Sequence, residues 1–573
     1  ITGAVYGIHF DGNAGGNIVI ENCTITGWTS FAQTIENVAI SGTTFAEGNY
    51  NQLRLYQNAT ITGCTFNEKM NVDFGNTGNV AAFENCTVEN GKALADVISI
   101  ADVATGNKVT VDGVELCVAA QVDNSYFLSL QEAIDAATEG QTVTILSDIV
   151  LTEGVTVAAE KNIFIELNGK TITGTPAEAK AFATITNRGT LTIQGNGAVV
   201  TDHQLAGSTG YAVNAITNCG TLTIDGATIE NKSTAAAQIG YAIDNNSTTA
   251  DATVIIVNGA VTVSGSNYYD GIRQFCNSTS VANDVIVRGG EVSSIWMQNP
   301  SDGATKNTKD VNGSLTIEGG KVGALYLEPS AEFEAAITAG HVGNVSYFQT
   351  AAGRDLKEFV TGGEFDTLIS EDFLVWGYQM KGDAAPYTVE YTGKRAEVTI
   401  VDGEVTEFVN ANELSVGTLT YKRTLPAAGK WYPVFLPFDV PVASLAANFD
   451  VARINDLHTN FSEEDGSIEK MWVEYIVRKS GTLAAGKPFL VRAKSSDVLD
   501  MVIELENVTL KTSSEKSSIT VSSAITKVTF EGVYEVTSGL VSTPSTRYMA
   551  VNADGVWDEF DGYALNPFRV MMK

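Results

Sequence analysis

The sequence predicts an all-β protein: a parallel β-solenoid in two sections with one short helix between them, followed by a β-sandwich. Three observations predict it. Short phrases recur at a period near 21 residues between Glu21 and Val88, longer phrases of the form Asn-x-Gly-Thr-Leu-Thr-Ile recur farther on, and the last third carries longer apolar alternations bounded by proline turns.

The first repeats are Glu21-Asn-Cys-Thr-Ile-Thr-Gly27, Ser41-Gly-Thr-Thr-Phe45, Thr62-Gly-Cys-Thr-Phe66 and Glu84-Asn-Cys-Thr-Val88. Their equivalent residues Cys23, Thr43, Cys64 and Cys86 stand 20, 21 and 22 positions apart. Each short strand is expected to stack on its counterpart about 4.8 Å away. Asn and Gly turn the corners because they tolerate positive φ. A single repeat cannot bury its inner face, so several must stack. Cys64 and Cys86 then come within disulfide reach on adjacent coils, although a straight ladder suits that bond poorly, and inward-facing free thiols are the favoured reading.

One helix follows. Ser129 and Glu132 have capping-box spacing, Leu130, Ala133, Ile134 and Ala137 repeat at helical intervals, and Gly140 stands where a C′ glycine is expected. We read residues 119–140 as a lid over an open solenoid end, with a new stack starting at Thr142-Val-Thr-Ile-Leu146. Ile185-Thr-Asn-Arg-Gly-Thr-Leu-Thr-Ile193 recurs 31 residues later as Ile216-Thr-Asn-Cys-Gly-Thr-Leu-Thr-Ile224. A third set is marked by Gly289-Gly290, Gly319-Gly320, Ala339-Gly340 and Gly362-Gly363. After about residue 392, strands such as Ala396–Val401, Met471–Val477 and Lys527–Gly532 predict the sandwich. The expected domains are therefore 1–118, a first section truncated at its N-terminus; 119–392, the capped second section; and 393–573, the sandwich.

Composition bounds the function. Of 573 residues, 35 are Lys or Arg and 67 are Asp or Glu, giving a net charge of −32, while 18% are charged and 44% hydrophobic. A field of this sign repels phosphate backbones and anionic lipid, which argues against nucleic acid as a partner. No run reaches the roughly 18 apolar residues of a membrane span. The chain opens at Ile1 with no signal-peptide pattern, so we expect a soluble chain whose front has been removed, or whose stack another subunit continues.

The segment Ser129 to Ala137 leading into Gln141-Thr-Val-Thr-Ile-Leu-Ser-Asp-Ile149, then Ile165-Glu-Leu-Asn-Gly-Lys-Thr-Ile172 and the Asn-x-Gly-Thr-Leu-Thr-Ile coils, resembles the pectin-lyase-like right-handed parallel β-helices of secreted bacterial surface proteins. Tyr421-Lys-Arg-Thr424, Trp431 to Phe438, Leu483 to Leu490, Phe530-Glu-Gly-Val-Tyr534 and Leu565-Asn-Pro-Phe-Arg569 look like the terminal β-sandwich of large secreted proteins of Bacteroides-type bacteria. The resemblance implies a right-handed β-helix, a secreted or cell-surface location and an adhesin-like or structural role, with a glycan or a host or bacterial surface protein as partner.

Pectin-lyase-like folds also host polysaccharide lyases and glycoside hydrolases. The Asn-Thr-Asp, Asp-Asp, Gly-His-Gly and Arg-x-Lys motifs of polygalacturonase-type enzymes do not occur here. A differently built carboxylate pair, roughly 6.5–9.5 Å apart, stays open. Thr201-Asp-His203 reads as a polar loop, and Arg273 with Asp270 and Arg288 with Asp284 are thin material for a lyase. The expectation is a non-catalytic chain, with catalysis and fibre assembly through solenoid ends as alternatives.

Binding has the better case. Counting from the second glycine of the third repeat set, Val292, Val322, Val342 and Phe365, and likewise Ile295, Leu325, Val345 and Leu368, belong inside. The next residues, Trp296, Tyr326, Ser346 and Ile369, point outward by strand alternation. With Tyr268, Tyr269 and Arg273 in the preceding coil, Trp296 and Tyr326 would form an aromatic strip suited to sugar rings; burial under a loop or the sandwich is the alternative. Val345-Ser-Tyr347-Phe348 is expected to slip by one residue and end the strip. No cofactor is expected. Calcium is the one metal that acidic loops such as Asp554–Asp561 and Glu463–Gly466 suggest, without a trusted ligand spacing.

Overall fold

The computed structural model describes residues 2–10, 15–46, 52–67, 70–89, 94, 97–100, 106–205, 211–234, 238–264, 269–276, 278–299, 311–328, 333–347, 356–404, 408–464, 468–523, 526–543, 545–559 and 564–573. Strand makes up 56% and helix 3%, so the chain is all-β. It forms two compact units, Ile1–Ile369 with Gly382–Thr388, and Ser370–Lys381 with Val389–Lys573.

In the first unit the short repeats stack in parallel and in register. Strands Gly16–Glu21, Ile35–Ser41, Ala59–Thr62, Val80–Glu84 and Lys108–Val111 are successive neighbours, aligning Ile20, Ile40, Ile61, Phe83 and Val111. Thr24–Ser30, Thr44–Phe45, Thr65–Phe66 and Thr87–Val88 form a second row, in which the Phe45 and Phe66 rings stack at 5.0 Å. Between the two rows Asn22, Gly42, Gly63 and Asn85 each adopt a φ of 50–59°. The left-handed corner therefore recurs in every repeat, which is why only Asn or Gly occupies it. All six cysteines are free: Cys64 and Cys276 are buried, Cys23, Cys86 and Cys219 half-buried, and Cys117 exposed. Only Cys64 of the repeated three is thus fully inward.

The expected helix spans Leu130–Ala136 and buries Leu130, Ala133 and Ile134, but its ends differ from the sequence reading. Ser129 makes no side-chain cap bond and the C-cap is Ala137. Gly140 does have positive φ, but it lies three residues farther on and donates its N–H to Asn162 O. A side chain of the following repeat closes the C-terminal end of the helix instead, and a helix side chain ties it to that repeat. Lys161 Nζ donates to the carbonyls of Asp135 and Ala137, both at 2.6 Å, where a cation complements the helix dipole. Gln131 exchanges two hydrogen bonds with the Thr156 main chain.

From Thr142 to Phe365 successive strands pair in parallel with strands one repeat later, before Glu364–Phe365 pairs antiparallel with Tyr387–Tyr391, and three apolar lines result. One runs Val143, Ile165, Ile193, Ile224, Ile256, Val287, Ile317, Ile337. A second runs Ile149, Ile172, Val199, Ile229, Val261, Val292, Val322, Val342, Phe365. The third runs Val155, Ile185, Ile216, Ile243, Ile272, Ile295, Leu325, Val345. All are buried except the half-buried Val345. Leu368, expected inside, is 67% exposed, because the strand there ends at Phe365. The paired glycines let main chains approach: a Cβ at Gly320, whose φ is 71°, would sit 2.6 Å from the Gly289 backbone.

A polar line runs beside the third. Asn187, Asn218 and Asn245 are fully buried and in register. Asn187 Nδ2 donates to Asn218 Oδ1, and Asn218 Nδ2 to Asn245 Oδ1, each at 2.8 Å. Gln274 takes the next rung, its amide donating to the carbonyls of Asn283 and Ser314.

The second unit carries the longer strands. Lys394–Val401 pairs in parallel with Leu414–Thr424, which pairs antiparallel with Asp500–Leu510. Tyr432–Val434, Phe489–Ala493, Phe449–Phe461 and Ile468–Arg478 form an antiparallel sheet. Ile519–Ser522, Lys527–Gly532, Val570–Met572, Met549–Val551 and Trp557–Glu559 form another. One core, including Tyr421, Phe435, Phe489, Phe530 and Phe568, joins all three sheets.

Candidate functional site

The third parallel row of the first unit positions the candidate residues. Strands Gln238–Asn245, Tyr269–Phe275, Ile295–Gln298, Lys321–Leu327 and His341–Tyr347 align Asp244, Arg273, Trp296, Tyr326 and Ser346 on one line. Alternation sets their direction: buried Ile295 and Met297 flank the half-buried Trp296, and buried Leu325 and Leu327 flank the half-buried Tyr326. Arg273, Trp296 and Tyr326 therefore come together as the sequence predicts. The expected slip does not occur, because Ser346 stays on Tyr326 and Tyr347 on Leu327. Tyr268 lies outside the described residues. Tyr269 begins its strand, pairing with Gly240.

Arg273 is an anchored side chain. Its Nε and Nη2 donate to Asp244 Oδ1 and Oδ2 at 2.7 and 2.8 Å. The guanidinium lies 4.6 Å from the Tyr241 ring centroid and 4.7 Å from that of Phe275. The two side chains are only 15% and 4% exposed, so the fork is largely dry. Burial works against the Arg273 charge, but the Asp244 hydrogen bonds and charge outweigh it and hold the pKa above its ordinary value. Burial pushes the Tyr241 phenol up to about 12.

Trp296 is anchored by its nitrogen. Its Nε1 donates to Glu328 Oε1 at 3.2 Å, while Glu328 Oε2 accepts the Asn299 N–H. Its ring lies 6.5 Å from that of Tyr241. The indole N–H is thus committed inside the protein, while the residue as a whole stays half-buried. Sequence reasoning missed Tyr241, Asp244 and Glu328. The recurrence of Gly210-Tyr-Ala-Val213 as Gly240-Tyr-Ala-Ile243 marked the strand that supplies the first two, but not their partner one repeat away.

The weaker catalytic candidates have structural partners. Asp270 accepts from Ser294 Oγ at 3.0 Å, and burial raises its pKa against that hydrogen bond. Asp284 accepts from both the N–H and the hydroxyl of Ser314. Arg288 pairs with Glu318. His203 is 1% exposed, its Nδ1 accepts the Leu205 N–H, and burial pushes its pKa down. Each arginine thus takes its carboxylate from a neighbouring repeat, not from the sequence-near Asp. Among the described residues, no group of three or more His, Cys, Asp and Glu is placed to hold a metal ion. Parts of both acidic loops considered for calcium, residues 465–466 and 560–561, lie outside the described residues. No helix among the described residues is long and apolar enough to cross a membrane. No protein-family model matches the chain, and no curated protein or solved structure matches it either.

Proposed function

We propose that this chain is a non-catalytic, secreted or bacterial cell-surface protein that displays a right-handed, pectin-lyase-like β-helix and binds glycan along the line Arg273–Trp296–Tyr326. The β-helix reading draws on the three parallel apolar lines, each strand pairing with its counterpart one repeat later, which suits a chain winding about one axis. The antiparallel sheets sharing the second core favour a β-sandwich. The observation that carries the function is the in-register placement of Trp296 beside Tyr326 on adjacent strands, both half-exposed, next to an arginine fixed by Asp244. Neighbouring aromatic side chains, one of them anchored through Trp296 Nε1, offer contact to the C–H faces of sugar rings at reduced entropic cost.

The test is calorimetric titration of the intact chain with acidic and neutral polysaccharides, together with assays for new reducing ends and unsaturated products. Binding without turnover is expected, and Trp296→Ala is expected to cost about 1–2 kcal/mol, roughly five- to thirtyfold in affinity. Turnover would replace this reading with a lyase or hydrolase. Binding that ignores both Trp296→Ala and Tyr326→Ala would move the site elsewhere.

A further inference from the structure

Among the described residues, the second unit contains a charge cluster in which two arginines meet one aspartate, with the Arg423 and Asp402 side chains buried and that of Arg569 25% exposed. Arg423, 6% exposed, donates from Nη1 to Pro433 O at 2.9 Å. Arg569 Nη2 donates to Asp402 Oδ2 at 2.7 Å, and Tyr421 Oη donates to Asp402 Oδ1 at 3.4 Å. Arg423 Nε stands 3.9 Å from the same Asp402 Oδ2, too far for a hydrogen bond. Two guanidinium groups thus share one carboxylate. Arg423 Nε and Arg569 Nη1 are buried and, among the described residues, have no hydrogen-bond partner. Burial, and after it the positive charge of Arg569, pulls the Arg423 pKa below its ordinary value.

Unsatisfied buried donors are costly, two guanidinium groups sharing one carboxylate repel each other, and a matching anion relieves both. Both arginines line a cleft of about 170 Å³. Its other polar lining groups are largely committed: Thr424 Oγ1 donates to Asp500, Tyr432 Oη donates to Ala553 O, and Asn552 Oδ1 accepts from Asp554 and Val556. Pro426, Pro433, Val551, Leu565 and Val570 supply apolar wall.

We infer that this cleft is a binding site for a compact carboxylate, its oxygens taken by Arg423 and Arg569 and its aliphatic part by the apolar wall. A guanidinium fork matches a planar carboxylate, and the half-apolar wall penalises the more strongly hydrated sulfate or phosphate. The site is independent of the proposed glycan line, since no residue is shared. It also gives a common purpose to two of the sequence marks of this region, Tyr421-Lys-Arg-Thr424 and Leu565-Asn-Pro-Phe-Arg569, which lie far apart in the chain and meet at Asp402.

The probe is sodium butyrate, titrated into the intact chain at constant ionic strength and followed by ligand-observed NMR and thermal unfolding. Acetate, sulfate and phosphate serve as comparison arms. Saturable butyrate binding is expected, with a matching rise in the second unit's unfolding temperature. R569Q leaves Arg423 and Asp402 as a one-to-one pair, so the fold is expected to persist, as circular dichroism would check, while affinity falls at least tenfold. R569K keeps the charge but loses the fork and should lie between. No saturable butyrate binding, or binding unchanged in folded R569Q, overturns the inference. Sulfate or phosphate binding as tightly as butyrate overturns the carboxylate assignment.

Discussion

Asp244 and Arg273 show how a dry ion pair behaves at a single position. The pair exists because each charge satisfies the other, so its removal is asymmetric. Asp244→Ala leaves a guanidinium buried against Tyr241 and Phe275 and is expected to cost about 3–5 kcal/mol, whereas Asp244→Leu combined with Arg273→Met should recover most of that. Hydrogen exchange at the neighbouring Ile272 and Ile295 amides would report the difference locally, and equal protection in all variants would count against it. His203 makes a second residue-scale prediction. Its folded pKa lies below the usual 6.5, so the unfolded chain takes up the proton first and stability falls as pH drops below about 6.5. In His203→Gln this part of the pH dependence should vanish from denaturation midpoints measured between pH 7.5 and 5. A wild-type slope in the variant would assign it to other groups.

At the scale of elements, the asparagine line and the helix ends show how repeats are joined. Each buried amide is satisfied partly by the repeat beside it: Asn218 binds Asn187, Asn245, Gly220 O and Thr253 O. Asn218→Ala should therefore strand groups on both neighbours and cost roughly 2–4 kcal/mol, more than one lost hydrogen bond. Thermal unfolding of the variant beside Thr217→Ala on the same strand would check this, and comparable losses would refute it. The phrase Ile-Thr-Asn-x-Gly was legible as a repeat, but the role of its Asn was not, because an isolated Asn reads equally well as a turn residue. The helix shows the converse. Its apolar face was legible from spacing, while in place of the expected Ser129 and Gly140 caps Lys161 meets the last carbonyls and Gln131 ties the helix to Thr156, contacts between residues 24 to 26 positions apart.

For the whole molecule, a net charge of −32 implies self-repulsion that salt should relieve. Raising sodium chloride from about 10 to 300 mM is expected to raise the unfolding temperature by a few degrees, and a decrease would indicate that favourable ion pairs such as Lys108–Glu115 and Arg288–Glu318 dominate instead. What the chain determined by itself was local and periodic. Repeats of like residues, corners needing Asn or Gly, and apolar alternation are each written in a few consecutive positions, so the parallel stacking and its buried lines could be read directly, as could the meeting of Arg273, Trp296 and Tyr326. Tertiary structure alone decided which distant polar groups meet: across repeats Asp244 with Arg273 and Trp296 with Glu328, and in the second unit Arg569 with Asp402. Repeat length varies, so a residue's neighbour on the next strand depends on register, and whether an outward side chain is neutralised or left available depends on that neighbour.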